Sequence, residues 1–310
     1  MYRNRTVLSE FFLIGIQTHN VPSRILFFAI LLFVYTTTVT GDFLIFVLVS
    51  TSQRLQHPMY FFIKQLSLSE IVFTTNIIPN MLGIILLKGG VISFVGCISQ
   101  FYIYIASGSV ESLLLTVMSY DRYLAICHPL QYTYLMGLQL CRNLTFLCWT
   151  SCFSLVLITI ILICRLDFCG PNVIDHYFCD FAPLVELACS DTTILRMEVI
   201  VLSIPIVLST FLFIIVSYIR ISTAILKISS NNGRQKAFST CSAHLASVCS
   251  YYGPLVVIYL VPYRKNSLNV NKFLSILYTV GTPFFNPLIY SLRNHEIRDV
   301  WRKYFNVAMA

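Results

Sequence analysis

The sequence contains few charged residues: Asp, Glu, Lys and Arg make up only 11% of its 310 residues. Soluble domains carry about 25%, so a water-facing surface over the whole molecule is excluded. Hydrophobic residues account for 57%, and the mean hydropathy is +0.77. The formal net charge of +8 does not indicate nucleic-acid binding, because the 21 Lys and Arg are scattered in short loops. This composition predicts a polytopic membrane protein.

Motifs of hydrolytic enzymes are also missing. The sequence has neither a His-Glu-x-x-His nor a Gly-x-Ser-x-Gly pattern. We therefore do not expect an enzyme.

Seven windows of about 20 mostly apolar residues follow one another along the chain, each long enough to span a bilayer as a helix. The apolar runs are continuous rather than alternating, which excludes β-barrel strands. We predict an all-α membrane protein: a single domain over residues 1–310, with a seven-transmembrane helix bundle over 25–292. The windows are Ile25–Ser50, Met59–Leu87, Cys97–Ile126, Leu144–Cys164, Val199–Ile219, Ala237–Pro262 and Phe273–Leu292.

A sequon and the basic residues predict the orientation. The apolar stretch Phe11–Ile16 is too short for a signal peptide, whereas Asn4 begins an N-glycosylation sequon. We expect residues 1–24 to be extracellular and 293–310 to form a cytoplasmic tail. The positive-inside rule agrees, because 12 of the 21 basic residues would then lie inside: Arg54, Lys64, Arg122, Arg142, Arg220, Lys227, Arg234, Lys236, Arg293, Arg298, Arg302 and Lys303.

Four of the eleven cysteines share the predicted outer side. Cys97 begins the third window, and Cys169, Cys179 and Cys189 lie in the long loop Arg165–Glu198. Four cysteines on an oxidising face can form two disulfides, in three connectivities; the alternative is that they are unpaired small hydrophobes.

Three carboxylates lie within predicted helices at similar depth: Asp42, Glu70 and Glu111. A buried charge in a membrane span is costly and marks a functional hypothesis. Either a cation joins these groups, or they are neutral, hydrogen-bonded carboxyls that hold helices together.

Two short motifs occur at the inner ends of the third and seventh windows. Asp121-Arg122-Tyr123 lies about 16 Å along the helix from Glu111, and Asn286-Pro287-Leu-Ile-Tyr290 ends the seventh window. The proline frees a backbone carbonyl, which Asn and Tyr side chains can help to rebond inside the bundle. Either motif alone is common, but their joint placement is specific.

With three further motifs, the chain resembles the rhodopsin-like G-protein-coupled receptors and, more closely, the olfactory receptors. The five motifs occur in the family's order and span nearly the whole chain: Pro58–Phe62, Met118–Leu130, Ser217-Tyr218, Lys236–Leu245 and Pro283–Asn294. The sequence departs from the family pattern at Asp42, at Gln56-His57 and at Glu70, where Asn, His-Thr and Asp are more usual.

The resemblance implies a function. Its members bind a small volatile molecule in the outer half of the bundle and activate a stimulatory, olfactory-type heterotrimeric G protein, raising cyclic AMP. It further implies a multi-pass protein of the plasma membrane in contact with lipid, and a short C-terminal amphipathic helix near Arg293–Tyr304.

The resemblance also implies roles for single residues. It pairs Cys97 with Cys179 and Cys169 with Cys189, and it places Glu70 and Glu111 beside a candidate sodium ion, the only cofactor expected. The expected coupling surface includes the segment His128–Tyr132. The switch residues it implies are Asp121, Arg122, Tyr123, Tyr218, His244, Asn286, Pro287 and Tyr290.

Helical spacing outward from Arg122 predicts the ligand pocket, which is mostly apolar with a few hydroxyls and suits a small neutral organic molecule. Tyr104 stands where amine receptors carry an acidic residue, and the seventh window lacks the lysine of a retinal Schiff base. Any one candidate could instead be packing between helices. The candidates are Tyr104, Ile105, Gly108, Ser109, Ser112, Leu202, Ser203, Ile206, Tyr252, Leu255, Val256, Tyr259, Tyr278 and Thr279.

Two other classes of function remain open. A transporter or channel predicts repeated halves, and we find no repeat between the first three and last three windows. A non-signalling scaffold would tolerate loss of the Asp-Arg-Tyr motif, which is intact. An odorant-evoked rise in cyclic AMP would discriminate all three.

Overall fold

A computed structural model of the chain describes residues 9–18, 20–169, 171–260, 268–293 and 295–308. The predicted sequon at Asn4 and the side chain of Tyr259 lie outside what is described.

Helices dominate the described residues. They are α1 (Val21–Thr51), α2 (Pro58–Leu87), α3 (Phe94–Cys127), α4 (Pro129–Leu135), α5 (Leu138–Ile163), α6 (Phe181–Glu186), α7 (Thr193–Glu198), α8 (Ile204–Leu226), α9 (Asn231–Leu260), α10 (Leu268–Ile276), α11 (Thr282–Arg293) and α12 (His295–Ala308). A 3₁₀ turn covers Gln53–Leu55, and π turns cover Val199–Ser203 and Leu277–Gly281.

Local signals explain where the long helices begin and end. The Asn20 side chain accepts a hydrogen bond from the Ser23 N–H at 2.9 Å and caps α1, and Ser93 caps α3 through the Gly96 N–H. Helix α2 ends at Lys88 and Gly89, which have positive φ angles of 61° and 139°, the left-handed termination typical of helix C-termini.

Five helices of the described residues are long and apolar enough to cross a membrane: α1, α2, α3, α5 and the continuous helix Thr193–Leu226, which joins α7, the π turn and α8. Five of the seven predicted spans are thereby confirmed. The sixth and seventh windows are also helical, but α9 opens on polar residues such as Asn231 and Arg234, and α10 carries Lys272.

A small sheet modifies the all-α prediction. Strand β1 (Glu10–Leu13) pairs antiparallel with β2 (Gly90–Ser93) and parallel with β3 (Val173–Ile174). Phe11 and Leu13 are fully buried, and the intervening Phe12 is 38% exposed. This alternation is the period of a half-buried strand, so the apolar stretch that is too short for a signal peptide anchors the N-terminal segment to two loops.

Helix α3 is central, because it packs against α2, α5, α8 and α9. Helix α1 packs against α2 and α11. At Gly41 a side chain would place its Cβ 3.1 Å from Cβ of Pro287, so glycine permits the close approach of α1 and α11.

The predicted outer loop, Arg165–Glu198, is shorter in the structure and contains secondary structure of its own. It contains β3 and α6, and α7 begins at Thr193 rather than at the predicted Val199. We call the end of the bundle that carries this loop the disulfide end, and the opposite end the Arg122 end.

Candidate functional site

At the disulfide end, the N-terminal segment, the loop after α2 and the long loop together form a cap. The cap comprises the three strands, residues Ile14–Gly15 and residues His176–Asp180. The Gly15 N–H donates to the His176 carbonyl at 3.1 Å. The Lys272 ammonium of α10 donates to the Gly15 carbonyl at 3.2 Å and pairs with Asp175 at 2.5 Å. The N-terminal segment, the long loop and α10 are thereby joined.

His176 is enclosed in this cap. It is 6% exposed and lies 4.6 Å and 4.7 Å, between ring centroids, from Tyr177 and Phe178. Burial lowers the pKa of His176 to about 3, the Lys272 charge acts in the same direction, and Asp175 opposes it. The imidazole is therefore neutral at physiological pH.

Both disulfides implied by the family resemblance are present. Cys97 is bonded to Cys179 and Cys169 to Cys189, with Cα separations of 5.5 and 5.9 Å. Hydrogen bonds hold the loop beside the Cys97–Cys179 disulfide: the Cys179 N–H donates to Gln100 Oε1 at 3.0 Å. The Gln100 amide in turn donates to the Asn76 carbonyl at 3.1 Å.

Below the cap, four aromatic rings meet between α2, α3, the long loop and the π turn. Tyr104 lies 4.9 Å from Phe178, 5.5 Å from Phe73 and 6.3 Å from Tyr278, measured between ring centroids. The angles between the ring planes range from 45° to 77°, and tilted or edge-on contacts of this kind are favourable for aromatic pairs. We call these four residues the aromatic cluster.

A triangle of hydroxyls lies further into the bundle, about two turns along α3 from Tyr104. Ser112, Thr210 and Tyr252 are joined at 2.8, 3.0 and 3.1 Å. Next to it, the Tyr251 hydroxyl donates to the Gly108 carbonyl at 2.7 Å. Polar atoms from α3, α8 and α9 thus converge in an otherwise apolar interior.

The structure brings some predicted pocket residues together and leaves others apart. Tyr104, Gly108, Ser112, Tyr252, Tyr278 and Thr279 are buried in the two groups or beside them. Ile105, Ser109, Ser203 and Leu255 are half-buried, whereas Leu202, Ile206 and Val256 are 37 to 40% exposed on the surface of the bundle.

Sequence reasoning misses several residues of this region. Phe73, Thr210 and Tyr251 are not predicted, because residue spacing alone does not show whether their faces of the helices point toward the pocket. Tyr177 and Phe178 are not predicted, because residues of a loop follow no periodic pattern. The Tyr177 hydroxyl forms a hydrogen bond with Thr279 Oγ1 at 3.0 Å. The neighbouring Cys179, which the resemblance ties to α3, is the one signal that could have located them.

The three buried carboxylates lie near one another in the interior, each no more than 2% exposed. Glu70 neighbours Asp42 and accepts a short hydrogen bond from the Asn286 amide. Asp42 is in hydrogen-bonding contact with Glu70 and Ser67, whereas neither Oε1 of Glu111 nor Oδ1 of Asn286 has a partner in hydrogen-bonding geometry. Within the described ranges, no three His, Cys, Asp or Glu side chains converge as ligands of one metal ion.

At the other end, Arg122 is held by its own neighbour. Its guanidinium donates to Asp121 Oδ2 at 2.8 and 3.1 Å, and the Tyr132 hydroxyl donates to Asp121 Oδ1 at 2.9 Å. Asp121 is fully buried and the Arg122 side chain is 12% exposed. Burial and the Asp121 charge raise the pKa of Tyr132, so this tyrosine of α4 stays a donor. The adjacent Tyr123 bonds His128 at 3.1 Å.

His244 joins three helices beside this pair. Its Nδ1 bonds the Tyr218 hydroxyl of α8 at 2.6 Å, and its Nε2 bonds the Leu115 carbonyl of α3 at 3.1 Å. Ile221, Ile225 and Cys241 form a small buried cluster at the same end. Helix α9 is therefore closed against α3 and α8 at the Arg122 end.

Three predicted switch residues lie on α11, namely Asn286, Pro287 and Tyr290. Tyr290 is 2% exposed and its hydroxyl has no partner in hydrogen-bonding geometry, while Pro287 contacts α1 at Gly41. Asn286 links α11 to the carboxylates through Glu70. The geometry thus provides an enclosed aromatic and hydroxyl region at one end, a buried Asp121–Arg122 ion pair at the other, and buried carboxyls between them.

Comparison with known proteins gives one consistent result. A family model described as "Olfactory receptor" matches residues 31–307. Among curated proteins, the chain is 43% identical to Olfactory receptor 6N1 of Homo sapiens over 300 residues, which cover 97% of this chain and 96% of that protein. It is 42% identical to Olfactory receptor 5P60 of Mus musculus over 304 residues, covering 97% and 94%.

Proposed function

The chain belongs to the olfactory receptor family of non-enzymatic, odorant-sensing G-protein-coupled receptors, and on that premise we propose what it binds, how it lies in the membrane and what it activates. The proposed ligand is a small neutral volatile organic molecule. The proposed output is activation of a stimulatory, olfactory-type G protein and a rise in cyclic AMP.

The proposed ligand site is the region between the aromatic cluster and the hydroxyl triangle. Tyr104, Tyr278 and Phe178 offer apolar faces, and Ser112 and Tyr252 offer hydroxyls that can exchange a mutual hydrogen bond for one to the ligand. These side chains carry no formal charge, which favours a neutral molecule. The cap above them would control access from the disulfide end.

We propose that the chain is a plasma-membrane protein with seven membrane spans and an extracellular disulfide end. The sixth span is α9, and the seventh runs through α10, the π turn and α11. Disulfides form in oxidising compartments, which supports the orientation. Helix α12, in which Ile297 and Val300 are buried and Arg302 is exposed, would lie along the cytoplasmic leaflet as the amphipathic tail helix.

Activation is proposed to open the Arg122 end. Odorant binding would shift the equilibrium toward a state in which α9 moves away from α3 and α8. Tyr218 would then leave His244, and Arg122 would become accessible to the G protein. The observation that carries this proposal is the buried Asp121–Arg122 pair beside a helix end that His244, Cys241 and their apolar neighbours hold in place.

The test is a cyclic AMP assay in cells expressing the chain, screened against a broad odorant panel. Arg122→Ala should abolish the evoked signal at matched surface expression. Arg142→Ala, which removes an exposed arginine at the same end, is the matched control and should respond normally. Evoked cyclic AMP from Arg122→Ala at the level of the unsubstituted chain would contradict the proposal.

For the buried carboxyls we propose that Asp42 and Glu70 share a proton and that Glu70 and Glu111 supply oxygen ligands to sodium. The contact between Asp42 and Glu70 and the unpartnered oxygens of Glu111 and Asn286 support this, because buried carboxylates are costly unless protonated or paired. Oxygen ligands of this kind suit a hard cation.

Measuring basal cyclic AMP with and without sodium in two variants distinguishes a sodium-binding role of the carboxyls from a purely structural one. Glu111→Gln should alter basal cyclic AMP and its dependence on sodium, whereas Asp42→Asn should reach the surface at least as well as the unsubstituted chain. An unchanged sodium response in Glu111→Gln would leave the carboxyls a packing role only. Poor surface expression of Asp42→Asn would show that Asp42 has a specific partner.

A further inference from the structure

A cavity far from the proposed ligand site opens at the Arg122 end, between α1, the short loop before α2, α2 and the start of α5. Its volume is about 230 Å³. Polar groups line one side, namely Ser50, Gln56, His57 and Lys64, while Phe61 and Leu138 contribute to an apolar wall. The proposed switch leaves these residues unexplained, and Gln56-His57 is one of the points at which the sequence departs from its family.

Lys64 is the unusual residue of this groove. It lies on a face of α2 that continues through half-buried Phe61 and Leu68 to exposed Thr75, a face that would border lipid in the proposed membrane orientation. Its ammonium sits 5.5 and 5.6 Å from the ring centroids of Phe46 and Phe61. Cation–π contacts of this kind hold a cation in place without neutralising it.

Lys64 has no carboxylate partner in the part of the chain that the structure describes, unlike Arg122, which pairs with Asp121, and Lys272, which pairs with Asp175. A charged residue on a membrane helix is costly unless it reaches the interface or a counter-ion. Lys64 follows the first helical residue, Pro58, by six positions, about 9 Å along the axis. From that depth a lysine reaches the headgroup layer by extending its side chain.

The start of α2 adds further attraction for an anion. Its N-terminal amides carry the positive end of the helix dipole, and the N-cap residue His57 makes no side-chain capping bond. Across His57 lies a neighbouring cavity that is also lined by Arg54, Glu296 and Asp299. Those two carboxylates disfavour a polyphosphate and favour a group with a single phosphate.

We propose that this groove binds one anionic phospholipid of the inner leaflet, with its phosphate on Lys64, Gln56 and His57. An acyl chain would then run along the apolar outward face formed by Phe46 and Phe61. The lipid supplies the counter-charge that Lys64 lacks, and its occupancy depends on neither odorant nor G protein. Failure of this proposal would therefore leave the proposed receptor function untouched.

The test uses the full chain, purified in detergent and titrated with phosphatidylserine or phosphatidylcholine, with bound lipid counted by native mass spectrometry. We expect one preferred phosphatidylserine. Lys64→Ser should weaken it about fivefold, the factor that corresponds to about 1 kcal/mol per basic residue near an anionic membrane surface. Lys64→Arg should retain the binding, because it keeps both the charge and the stacking on the rings.

Lys227→Ser is the matched control, since it removes an exposed lysine from the same end of the bundle but outside the groove. An equal loss of phosphatidylserine binding in Lys227→Ser and Lys64→Ser would mean that the lipid responds to the overall surface potential, and it would overturn the proposed site. So would equal binding of both lipids by the unsubstituted chain. Displacement of phosphatidylserine by inorganic phosphate at similar concentration would identify a free anion as the occupant and overturn the lipid assignment.

Discussion

His176 shows how much a single side chain in the cap depends on its surroundings. Its ring is buried between the Tyr177 and Phe178 rings, near the Lys272 ammonium and the Asp175 carboxylate. Because its pKa falls from 6.5 to about 3, the folded protein does not take up the proton that the unfolded chain binds below pH 6.5. Stability is therefore greatest above that pH and is lost as the pH falls toward 3.

We predict that His176→Phe reduces the acid sensitivity of the fold. Between pH 6.5 and 3 the histidine should cost the native state about 1.4 kcal/mol per pH unit, so the melting temperature of the unsubstituted chain should fall between pH 7.5 and 5.5 by more than that of the variant. Phenylalanine keeps the aromatic contacts of the ring. Burial also raises the pKa of the nearby Asp180. That group is present in both proteins, so its contribution to the pH dependence cancels when the two are compared.

The control for this measurement is His57→Gln, which changes an exposed histidine and should keep the full acid-dependent decrease. If His176→Phe and the unsubstituted chain lose the same number of degrees, another group is responsible for the acid sensitivity.

At the scale of elements, the cap shows where sequence patterns stop being informative. The long apolar helices are readable from their length, and the end of α2 from its glycines. Strand β1 is four residues long, and its partners are a loop about 80 positions away and another about 160 positions away. Pairing over such distances leaves no local period in the sequence, so β1 reads only as a short apolar stretch.

The first disulfide should be essential to this element. We predict that Cys179→Ser abolishes surface expression, because the bond closes a span of 82 residues and its loss typically costs 2 to 5 kcal/mol in small secreted domains, roughly the scale expected for the cap. The Gln100 contact to the Cys179 N–H and the Phe178–Tyr104 ring contact would then remain as ties between the loop and α3.

Cys148→Ser is the comparison, since Cys148 is a free, buried cysteine of α5 and a serine inside a membrane helix can bond a carbonyl of its own preceding turn. Flow cytometry on intact cells should show near-normal surface levels for Cys148→Ser. Equal levels for the two variants would contradict a stabilising role for the first disulfide.

For the whole molecule, the contacts at the Arg122 end decide whether the bundle rests closed. We predict that Tyr218→Phe raises basal cyclic AMP several-fold. It removes the hydrogen bond to His244 that joins α8 to α9, worth about 1 kcal/mol, and so shifts a closed–open equilibrium about fivefold.

Tyr120→Phe is the matched control, because it deletes a hydroxyl from a tyrosine of α3 that packs on Phe213 and has no hydrogen bond in the described part of the chain. Basal cyclic AMP should be measured at equal surface expression. A rise of the same size in both variants, or in neither, would mean that the Tyr218–His244 contact does not hold the closed state.

The sequence by itself determined a helical membrane protein with an arginine motif at the inner end of the third helix, since long apolar runs and motif spacing are local properties that lipid and helix geometry translate directly into structure. It also determined the family, through five motifs in order. The tertiary structure alone decided that Ser112, Thr210 and Tyr252 meet, that Leu202 and Val256 face outward, and that Lys64 has two rings but no carboxylate among the described residues. Those outcomes depend on the rotation of each helix about its axis, which packing fixes and spacing along one helix does not.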